Sequence, residues 1–425
     1  MATENTVSTP PKQMESIKLD NLLINFTTEF QQIWDSTGSR SEPAAFWHPT
    51  PAPDLLPGFF PLGDVIVPGY ENINGEKVVA VVREADSPSE DPARGNALSR
   101  PNDYEQVWND SGSGAEKACT LWRPIPPDGY VALGLVCSMG QEKPSVHAVR
   151  CVREDLVIES YVGDLIWSEG RGLMHNFSTW GITLPAAEAG EIYFAPGTFI
   201  SDGSGRKPTE NLTYALRMRI QIQANTGPVP PVITDFKAPI PPETSEATHV
   251  ALIPWFAVDQ YPTSAFDDFS ELTNYRLERR DQYKLIGHGH NTEDKSRLFK
   301  WTAPRTPSHE EVQIFSSTTS IKFDTEWRAE ASDTDRPIQF SAKLSKQFTH
   351  TETSSSGWTN PNTIVVAGIV PKDKMLAVYQ LESRYDLLNE NGEQVAISFA
   401  YADSDGLYWL EHSPEDSQAI ATALE

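Results

Sequence analysis

Apolar and polar side chains alternate along two neighbouring stretches of the C-terminal half, residues 321–331 and 338–348. Alternation with a period of two residues is typical of a β-strand with one apolar and one polar face. The stretch between them, 332–337, has the Ser, Asp and Pro composition of a turn. The pattern therefore predicts a long antiparallel hairpin. Its apolar face holds Ile321, Phe323, Thr325, Trp327, Ala329, Ala331, Ile338, Phe340, Ala342, Leu344 and Phe348.

Two interpretations of this hairpin differ in what covers its apolar face. An arm of this length is long enough to cross a membrane, since a barrel strand needs about 9–11 residues with apolar side chains toward lipid. The alternative, which is the more common use of the pattern, is a hairpin that packs on the core of a soluble sandwich. Asp333, Asp335 and Arg336 in the turn count against insertion, because these charges would have to cross the bilayer.

The N-terminal half contains a motif that occurs three times, the third time more weakly. Each copy has a tryptophan before a loop of small residues, and then a strand-like stretch with a second tryptophan. The first tryptophans of the three copies are Trp34, Trp108 and Trp167. These spacings are too long for a solenoid repeat. They predict a pseudo-threefold β-prism whose tryptophans fill the shared axis, with a propeller or a sandwich as alternatives.

The loops after the first two tryptophans combine a carboxylate with small residues beside an aromatic ring. This combination suits recognition of sugar hydroxyls and stacking on a sugar ring, and repeated weak sites would add by avidity. The alternative, favoured for each loop taken singly, is that Gly and Asp only form tight turns. The candidate receptor- or glycan-binding residues are Trp34, Asp35, Ser36, Gly38, Trp108, Asp110, Ser111 and Gly112.

Changes of composition divide the chain. Residues 1–19 are polar and are expected to form a flexible tail, and residues 226–245 are rich in proline, which is typical of an extended linker. We therefore expect a β-prism-like receptor-binding domain at 20–225 and a second β domain at 246–425. The many Pro, Gly and aromatic residues among β-branched runs indicate an all-β protein.

Charge and motif content count against several functions. A net charge of −25 would repel nucleic acid. The sequence has no nucleophile elbow, P-loop, dinucleotide fingerprint or zinc-ligand spacing, so we expect neither an enzyme nor a cofactor or metal site. No signal peptide or apolar membrane helix is visible. We therefore expect a protein made soluble in the cytoplasm of the producing cell.

Residues from about 24 to 201 resemble the vacuolar protein sorting-associated sixty-two family, which also includes plant proteins of unknown function. The segments that carry the resemblance are 33–34, 57–63, 107–114, 122–130, 143–145, 150–156 and 196–199. The family name refers to trafficking and implies no chemistry.

A second resemblance concerns the C-terminal half. Val258 and Asp259, then 274–279 and Tyr283, resemble the opening of aerolysin-type modules of the epsilon-toxin and mosquitocidal-toxin superfamily, and the alternating strands and 365–371 continue the pattern. In that superfamily a receptor-binding domain precedes an elongated β-sandwich module that oligomerises and inserts a hairpin.

Together the two resemblances imply an insecticidal or defensive β-pore-forming toxin. It would bind a glycan or protein receptor on the target cell, assemble into a ring-shaped homo-oligomer and insert a β-barrel into the membrane. The alternatives are a non-lytic glycan- or protein-binding module in membrane trafficking, and a carbohydrate-active enzyme.

Overall fold

The computed structural model describes most of the chain in separate ranges. These are residues 15–89, 91–110, 113–169, 177–209, 213–242, 246–258, 274–304, 327–328, 338–344, 348, 363–395 and 398–414. Apart from 3₁₀ turns at Pro92–Arg94, Glu154–Leu156 and Trp255–Ala257, the regular elements in these ranges are β-strands. The all-β class expected from the sequence is therefore confirmed.

The chain forms two compact units. Unit 1 contains the described residues up to Arg219 together with those between 327 and 343, and unit 2 contains the others. Unit 1 therefore includes part of the hairpin that we expected to belong to the C-terminal domain. Its first strand also begins at Ile17, inside the stretch expected to be a tail.

The strands before residue 220 are short apart from one. They are β1 (Ile17–Leu19), β2 (Leu22–Thr27), β3 (Phe30–Asp35), β4 (Ala44–Pro49), β5 (Phe60–Pro61), β6 (Val65–Pro68), β7 (Val79–Glu84), β8 (Leu98–Ser99), β9 (Asp103–Asn109), β10 (Cys119–Ile125), β11 (Tyr130–Val131), β12 (Val136–Met139), β13 (Cys151–Arg153), β14 (Val157–Glu169), β15 (Phe177–Thr183), β16 (Glu191–Phe194) and β17 (Thr213–Arg219).

The strands after residue 220 include three long ones. They are β18 (Ile222–Ala224), β19 (His249–Ile253), β20 (Tyr275–His290), β21 (Arg297–Ala303), β22 (Trp327–Arg328), β23 (Phe340–Lys343), β24 (Ile364–Val370), β25 (Met375–Leu388) and β26 (Phe399–His412).

The threefold repeat is visible in the strand register of unit 1. Two antiparallel sheets have the orders β3-β4-β6 and β12-β10-β9, and the pair β14-β15 with an isolated bridge at Ile200 forms the third equivalent. In each, the register shifts by a bulge just before the repeat tryptophan. Across the ladder Trp34 pairs with Phe46, Trp108 with Leu121, and Trp167 with Thr179.

Glycine is required where the first two copies come close to the third. Gly63 and Gly134 each precede the third strand of their copy by two residues, and Thr198 stands at the same distance before Ile200. A Cβ at Gly134 would lie 2.6 Å from the Cβ of Thr198, and a Cβ at Gly63 would lie 2.8 Å from the Gly134 Cα. These separations are shorter than van der Waals contact, so the copies pack this closely only with glycine at both positions.

The three repeat tryptophans meet in the core of unit 1. Their ring centroids lie 6.3 Å (Trp34–Trp108), 6.1 Å (Trp34–Trp167) and 6.5 Å (Trp108–Trp167) apart. All three pairs are edge-to-face, an arrangement that aromatic rings prefer. The rings therefore meet as the repeat predicts, while the pseudo-threefold prism itself stays a prediction.

A six-stranded sheet of unit 1 has the order β15-β14-β17-β16-β23-β22. Strands β22 and β23 come from the segment predicted to form the amphipathic hairpin. The ladder between β16 and β23 has four residue pairs, from Glu191 opposite Lys343 to Phe194 opposite Phe340. The predicted hairpin is thus attached to the rest of unit 1 at the end of this sheet.

Unit 2 is built on a sheet of order β18-β19-β20-β25-β26. A separate antiparallel pair, β21 and β24, packs on β20 through aromatic rings. Trp301 lies against Gly287 and Phe299 against Gly289, and a Cβ at either glycine would overlap the ring. The two glycines therefore fix where the β21-β24 pair rests on the long sheet.

Candidate functional site

The repeat tryptophans are tied from one copy to the next by their indole N–H groups. Trp34 Nε1 donates to the Lys117 carbonyl (2.7 Å) and to Asp110 Oδ2 (3.1 Å), Trp108 Nε1 donates to Glu169 Oε2 (3.3 Å), and Trp167 Nε1 donates to the Glu42 carbonyl (2.8 Å). Burial raises the pKa of Glu169, against the hydrogen bond from Trp108. These bonds connect the three copies around the aromatic core.

Several predicted sugar-binding residues therefore have a structural role. Trp34 is 2% exposed, Ser36 1% and Asp110 5%. Trp108 stacks on Phe177, with ring centroids 4.5 Å apart. A sugar ring needs an open aromatic face, and the buried Trp34 does not offer one; a receptor-binding role for the half-buried Trp108 stays a prediction.

The first predicted sugar-binding loop is closed by its own bonds. Asp35 accepts a hydrogen bond from the Thr37 N–H (3.0 Å), as in an ordinary turn. Gly38 has a positive φ of 86° and packs against the carbonyl of Gly114 in the second loop. Ser111 and Gly112 of the second loop lie outside the described residues. A receptor-binding role for Asp35 and Gly38 stays a prediction.

The second arm of the predicted hairpin is buried. Ile338, Phe340, Ala342, Leu344 and Phe348 are each at most 2% exposed. In the first arm, the described residues include Trp327 alone among the candidates. The others, Ile321, Phe323, Thr325, Ala329 and Ala331, lie outside the described residues.

The two arms pair as the sequence pattern predicts. Trp327 lies opposite Ala342 and Arg328 opposite Ser341, in an antiparallel ladder. The predicted turn at 332–337 lies outside the described residues.

Along the sequence, β21 precedes the β22-β23 hairpin and β24 follows it. Ala303 at the end of β21 lies opposite Ile364 at the start of β24. If the register of β21 and β24 continued along the chain to the β22-β23 hairpin, Trp327 would lie opposite Phe340. It lies opposite Ala342 instead. The two ladders are thus offset by two residues from one continuous hairpin. A two-residue offset keeps every side chain on the same face.

Phe348, the last residue of the second arm, is fixed in unit 2 by a set of buried side chains. Arg279 Nη1 donates to its carbonyl (2.7 Å), and the Tyr385 hydroxyl donates to the same oxygen (3.3 Å). The Phe348 ring lies 6.0 Å from Tyr385 and 6.3 Å from His249, measured between centroids. We call these contacts the Phe348 anchor.

A buried ion pair supports the anchor. Arg279 is 1% exposed and donates to both oxygens of Asp281, through Nε (2.7 Å) and Nη2 (2.6 Å). Asp281 also accepts hydrogen bonds from Ser383 (2.6 Å) and Thr248 (2.9 Å). Removing one member of such a pair costs about 3–5 kcal/mol, because the other charge is left buried without its partner. The network therefore holds Arg279 rigidly toward the Phe348 carbonyl.

Sequence reasoning did not predict the anchor. Residues 278–281 are four consecutive charged residues, which suggests a solvated strand. The sequence contained only indirect evidence for a role of Arg279, which belongs to the segment 274–279 that resembles the opening of aerolysin-type modules. Pairing with Tyr385 of β25 brings the partners together, and that pairing is not readable from local sequence.

Two features are not found within the described ranges. No group of three or more His, Cys, Asp or Glu side chains is placed to hold a metal ion there. No helix among the described residues has the length and apolarity needed to cross a bilayer.

Comparisons with known proteins give one family and two similar structures. Residues 9–222 match the sequence model of vacuolar protein sorting-associated protein 62, which is half of the chain. A search of curated proteins found no match. GNIP1Aa from Chromobacterium piscinae is 21% identical over 46% of this chain and 37% of its own, with a TM-score of 0.37. Cry35Ab1 is 10% identical over 96% of this chain and 97% of its own, with a TM-score of 0.35. Similarity this low leaves function to be argued from the chain itself.

Proposed function

The chain belongs to the vacuolar protein sorting-associated protein 62 family, and we propose that it is a β-pore-forming toxin of insecticidal or defensive use. Unit 1 binds a glycan or protein receptor on the target cell, copies of the chain assemble into a ring, and the β22-β23 hairpin joins a transmembrane barrel. The work is done by assembly and membrane insertion, without covalent chemistry.

The observation that carries the proposal is the way the amphipathic hairpin is held. Four residue pairs attach β23 to β16. Three further hydrogen bonds add to this ladder. The Ala187 N–H donates to the Ser341 hydroxyl and the Ala195 N–H to the Gln339 carbonyl, both at 2.9 Å, and the Gly190 N–H donates to the Lys343 carbonyl at 2.7 Å. A ladder this short can be exchanged for pairing with a second copy, because a barrel strand makes the same backbone bonds with its neighbours.

The burial of the second arm explains why the protein stays in its soluble form. A fully buried Leu, Ile or Phe side chain is worth roughly 1.5–3 kcal/mol relative to water. Moving Ile338, Phe340 and Leu344 from the protein core into water is therefore costly, whereas lipid tails are as apolar as the core they leave. Release is favourable only where a membrane receives the arm.

Two disulfide locks that share one cysteine test the proposal. Ala342→Cys with Ile192→Cys joins the arm to β16, because these residues lie directly opposite each other. Ala342→Cys with Trp327→Cys joins the two arms to each other. The native Cys119, Cys137 and Cys151 are buried, so they remain in place, and peptide mapping verifies the new bridges.

We expect the two locks to have opposite effects on dye release from insect midgut membrane vesicles. The lock to β16 abolishes release until a reductant is added, since the arm cannot leave the sheet. The lock between the arms allows release, since the arms remain neighbours in a barrel. Equal effects of the two locks would refute the hairpin as the inserting segment. Absence of release by the unmodified protein from several kinds of membrane would favour a non-lytic binding protein, the alternative that the family name suggests.

A further inference from the structure

Two arginines of unit 1 stand opposite each other at the end of a strand pair. Cys151 of β13 lies opposite Ser99 of β8 in an antiparallel ladder. One residue beyond this last pair, the same register places Arg150 opposite Arg100. Side chains that are directly opposite share one face of the sheet, with Cβ atoms about 4.5–5.5 Å apart, and like charges in such a pair are destabilising. The fold therefore brings two positive charges together.

The guanidinium group of Arg150 is held in a fixed position. Arg150 is 8% exposed, and its Nη1 donates to the carbonyls of His147 (3.3 Å) and Val149 (2.9 Å). Its guanidinium carbon lies 3.4 Å from the centroid of the Phe60 ring, which is a cation–π contact. Its Nε and Nη2 make no hydrogen bond within the described residues, and neither atom is closed off from solvent. Two donors therefore remain for a ligand.

No carboxylate neutralises the two arginines. Within the described ranges, neither Arg100 nor Arg150 forms an ion pair with an acidic side chain. Other arginines of the same unit do pair with an acid, namely Arg83, Arg94, Arg123, Arg153 and Arg217. Burial and the charge of Arg100 both lower the pKa of Arg150, but a guanidinium stays protonated in proteins. An anion bound between the two side chains would relieve their repulsion.

The charge and shape of the two groups select the anion. The planar fork of a guanidinium matches the oxygens of a phosphate, which it binds with two parallel hydrogen bonds. A phosphate monoester carries about −1.5 to −2 charges at pH 7 and so balances two arginines, whereas a sulfate ester carries one charge. A long polyanion would also meet the net charge of −25 on the rest of the chain. A single phosphate group therefore fits best.

We propose that Arg100 and Arg150 bind a phosphate monoester group carried by a sugar or by a lipid headgroup. As a statement about the receptor on the target cell, this rests on the proposed function. Binding of the phosphate itself does not. The site is separate from the tryptophan loops in which the sequence predicted receptor binding.

Arg100→Gln tests the site, with Arg94→Gln as the matched control. Both arginines are exposed and each substitution removes one positive charge, but Arg94 pairs with Asp155 (2.9 Å), whereas Arg100 has no acidic partner in the described part of the chain. The full-length protein is titrated without membranes, by isothermal titration calorimetry at pH 8 and constant ionic strength. The ligands are methyl phosphate and methyl sulfate, which have similar shapes and different charges.

We expect methyl phosphate to bind more tightly than methyl sulfate. Arg100→Gln weakens methyl phosphate at least about tenfold, the effect of losing a hydrogen bond from a charged group. Arg94→Gln leaves the affinity unchanged. Without ligand, the unfolding temperature of Arg100→Gln stays equal or rises, because a like-charge pair is removed. Absence of methyl phosphate binding, unchanged affinity in Arg100→Gln, or equal affinity for the two ligands overturns the proposal.

Two further ligands distinguish the sources of the phosphate. Tighter binding of glucose 6-phosphate than of methyl phosphate assigns the group to a sugar. Co-sedimentation with phosphatidylcholine vesicles that contain phosphatidic acid, lost in Arg100→Gln, assigns it to a lipid. Methyl phosphate binding without dye release from any membrane would keep the site and refute the toxin. Dye release without methyl phosphate binding would refute the site and keep the toxin.

Discussion

Replacing Phe348 with alanine tests whether the Phe348 anchor holds the hairpin in its docked position. The substitution removes the ring from its contacts with Tyr385 and His249. The main-chain carbonyl and its hydrogen bonds from Arg279 and Tyr385 remain possible, so the variant perturbs packing and leaves the buried ion pair intact.

The size of the effect follows from the burial of the ring. Phe348 is 0% exposed, and truncating a fully buried phenylalanine to alanine costs about 3–5 kcal/mol. When residue 348 is released it lies in water, where the substitution costs little. The substitution therefore destabilises the docked state alone. At 1.36 kcal/mol for each factor of ten, it raises the fraction of molecules with a released arm roughly 100- to several-thousand-fold.

Hydrogen exchange followed by mass spectrometry measures this population. We expect faster exchange in a peptide covering residues 338–348 of Phe348→Ala, and faster dye release at equal protein concentration. Phe236→Ala is the control, because Phe236 packs on His290 (4.3 Å between centroids) and His412 in the same unit but does not touch Phe348.

One outcome would refute the reasoning. If exchange increases at residue 348 while the amides of β23 stay protected, the arm is held by its ladder to β16 alone and the anchor has no control over it. Arg279→Lys provides a second check, since lysine keeps the charge beside Asp281 but lacks the planar fork that also reaches the Phe348 carbonyl. We expect a smaller increase in exchange than for Phe348→Ala.

Two further predictions concern unit 1. Burial opposes the charge on His48, but Asp64 at 2.5 Å outweighs it and raises the His48 pKa above its usual 6.5. The ion pair therefore stabilises the fold fully below about pH 6.5, and this stabilisation is lost as pH rises through the raised pKa. We expect His48→Gln to reduce the difference between the free energies of unfolding measured in urea at pH 5.5 and at pH 8.5. An unchanged difference contradicts the assignment. Gly134→Ala is expected to destabilise by more than about 2 kcal/mol, because the new Cβ would meet Thr198 at 2.6 Å. Gly181→Ala, whose Cβ would have 3.7 Å of space, is the control, and equal thermal shifts contradict the argument.

The repeat and the hairpin were predictable because each depends on local pattern. The tryptophan spacing marks equivalent strands, and the structure brings the equivalent side chains Trp34, Trp108 and Trp167 together. The alternation at 338–348 predicted the face that the structure buries. Period and face are properties that neighbours in sequence determine.

The partners of these side chains were not predictable. In each of the first two copies a carboxylate follows the tryptophan, and the sequence suggested that the two form one surface site. The indole of Trp34 instead donates to Asp110 of the next copy, and Asp35 closes its own turn. Which copy supplies the partner depends on how the strands of different copies pack, and no local pattern records it. The same limit applies to Arg279 and the Phe348 carbonyl, which are far apart in sequence.

For the proposed pore, the registers of the two ladders indicate where the barrier to insertion would lie. Strands β21 and β24 are paired antiparallel on unit 2, and β22 and β23 are paired antiparallel in unit 1, two residues out of a common register. In the proposed pore, the β21-β24 ladder shifts by two residues into the register of β22-β23, which makes one hairpin of the four strands without turning any side chain to the opposite face. The apolar face of the docked arm is then the face that meets lipid. The arms need little rearrangement relative to each other, so the energy that controls insertion is the energy of leaving β16 and the Phe348 anchor. Substitutions at those two attachments should therefore change the rate of pore formation more than substitutions between the arms.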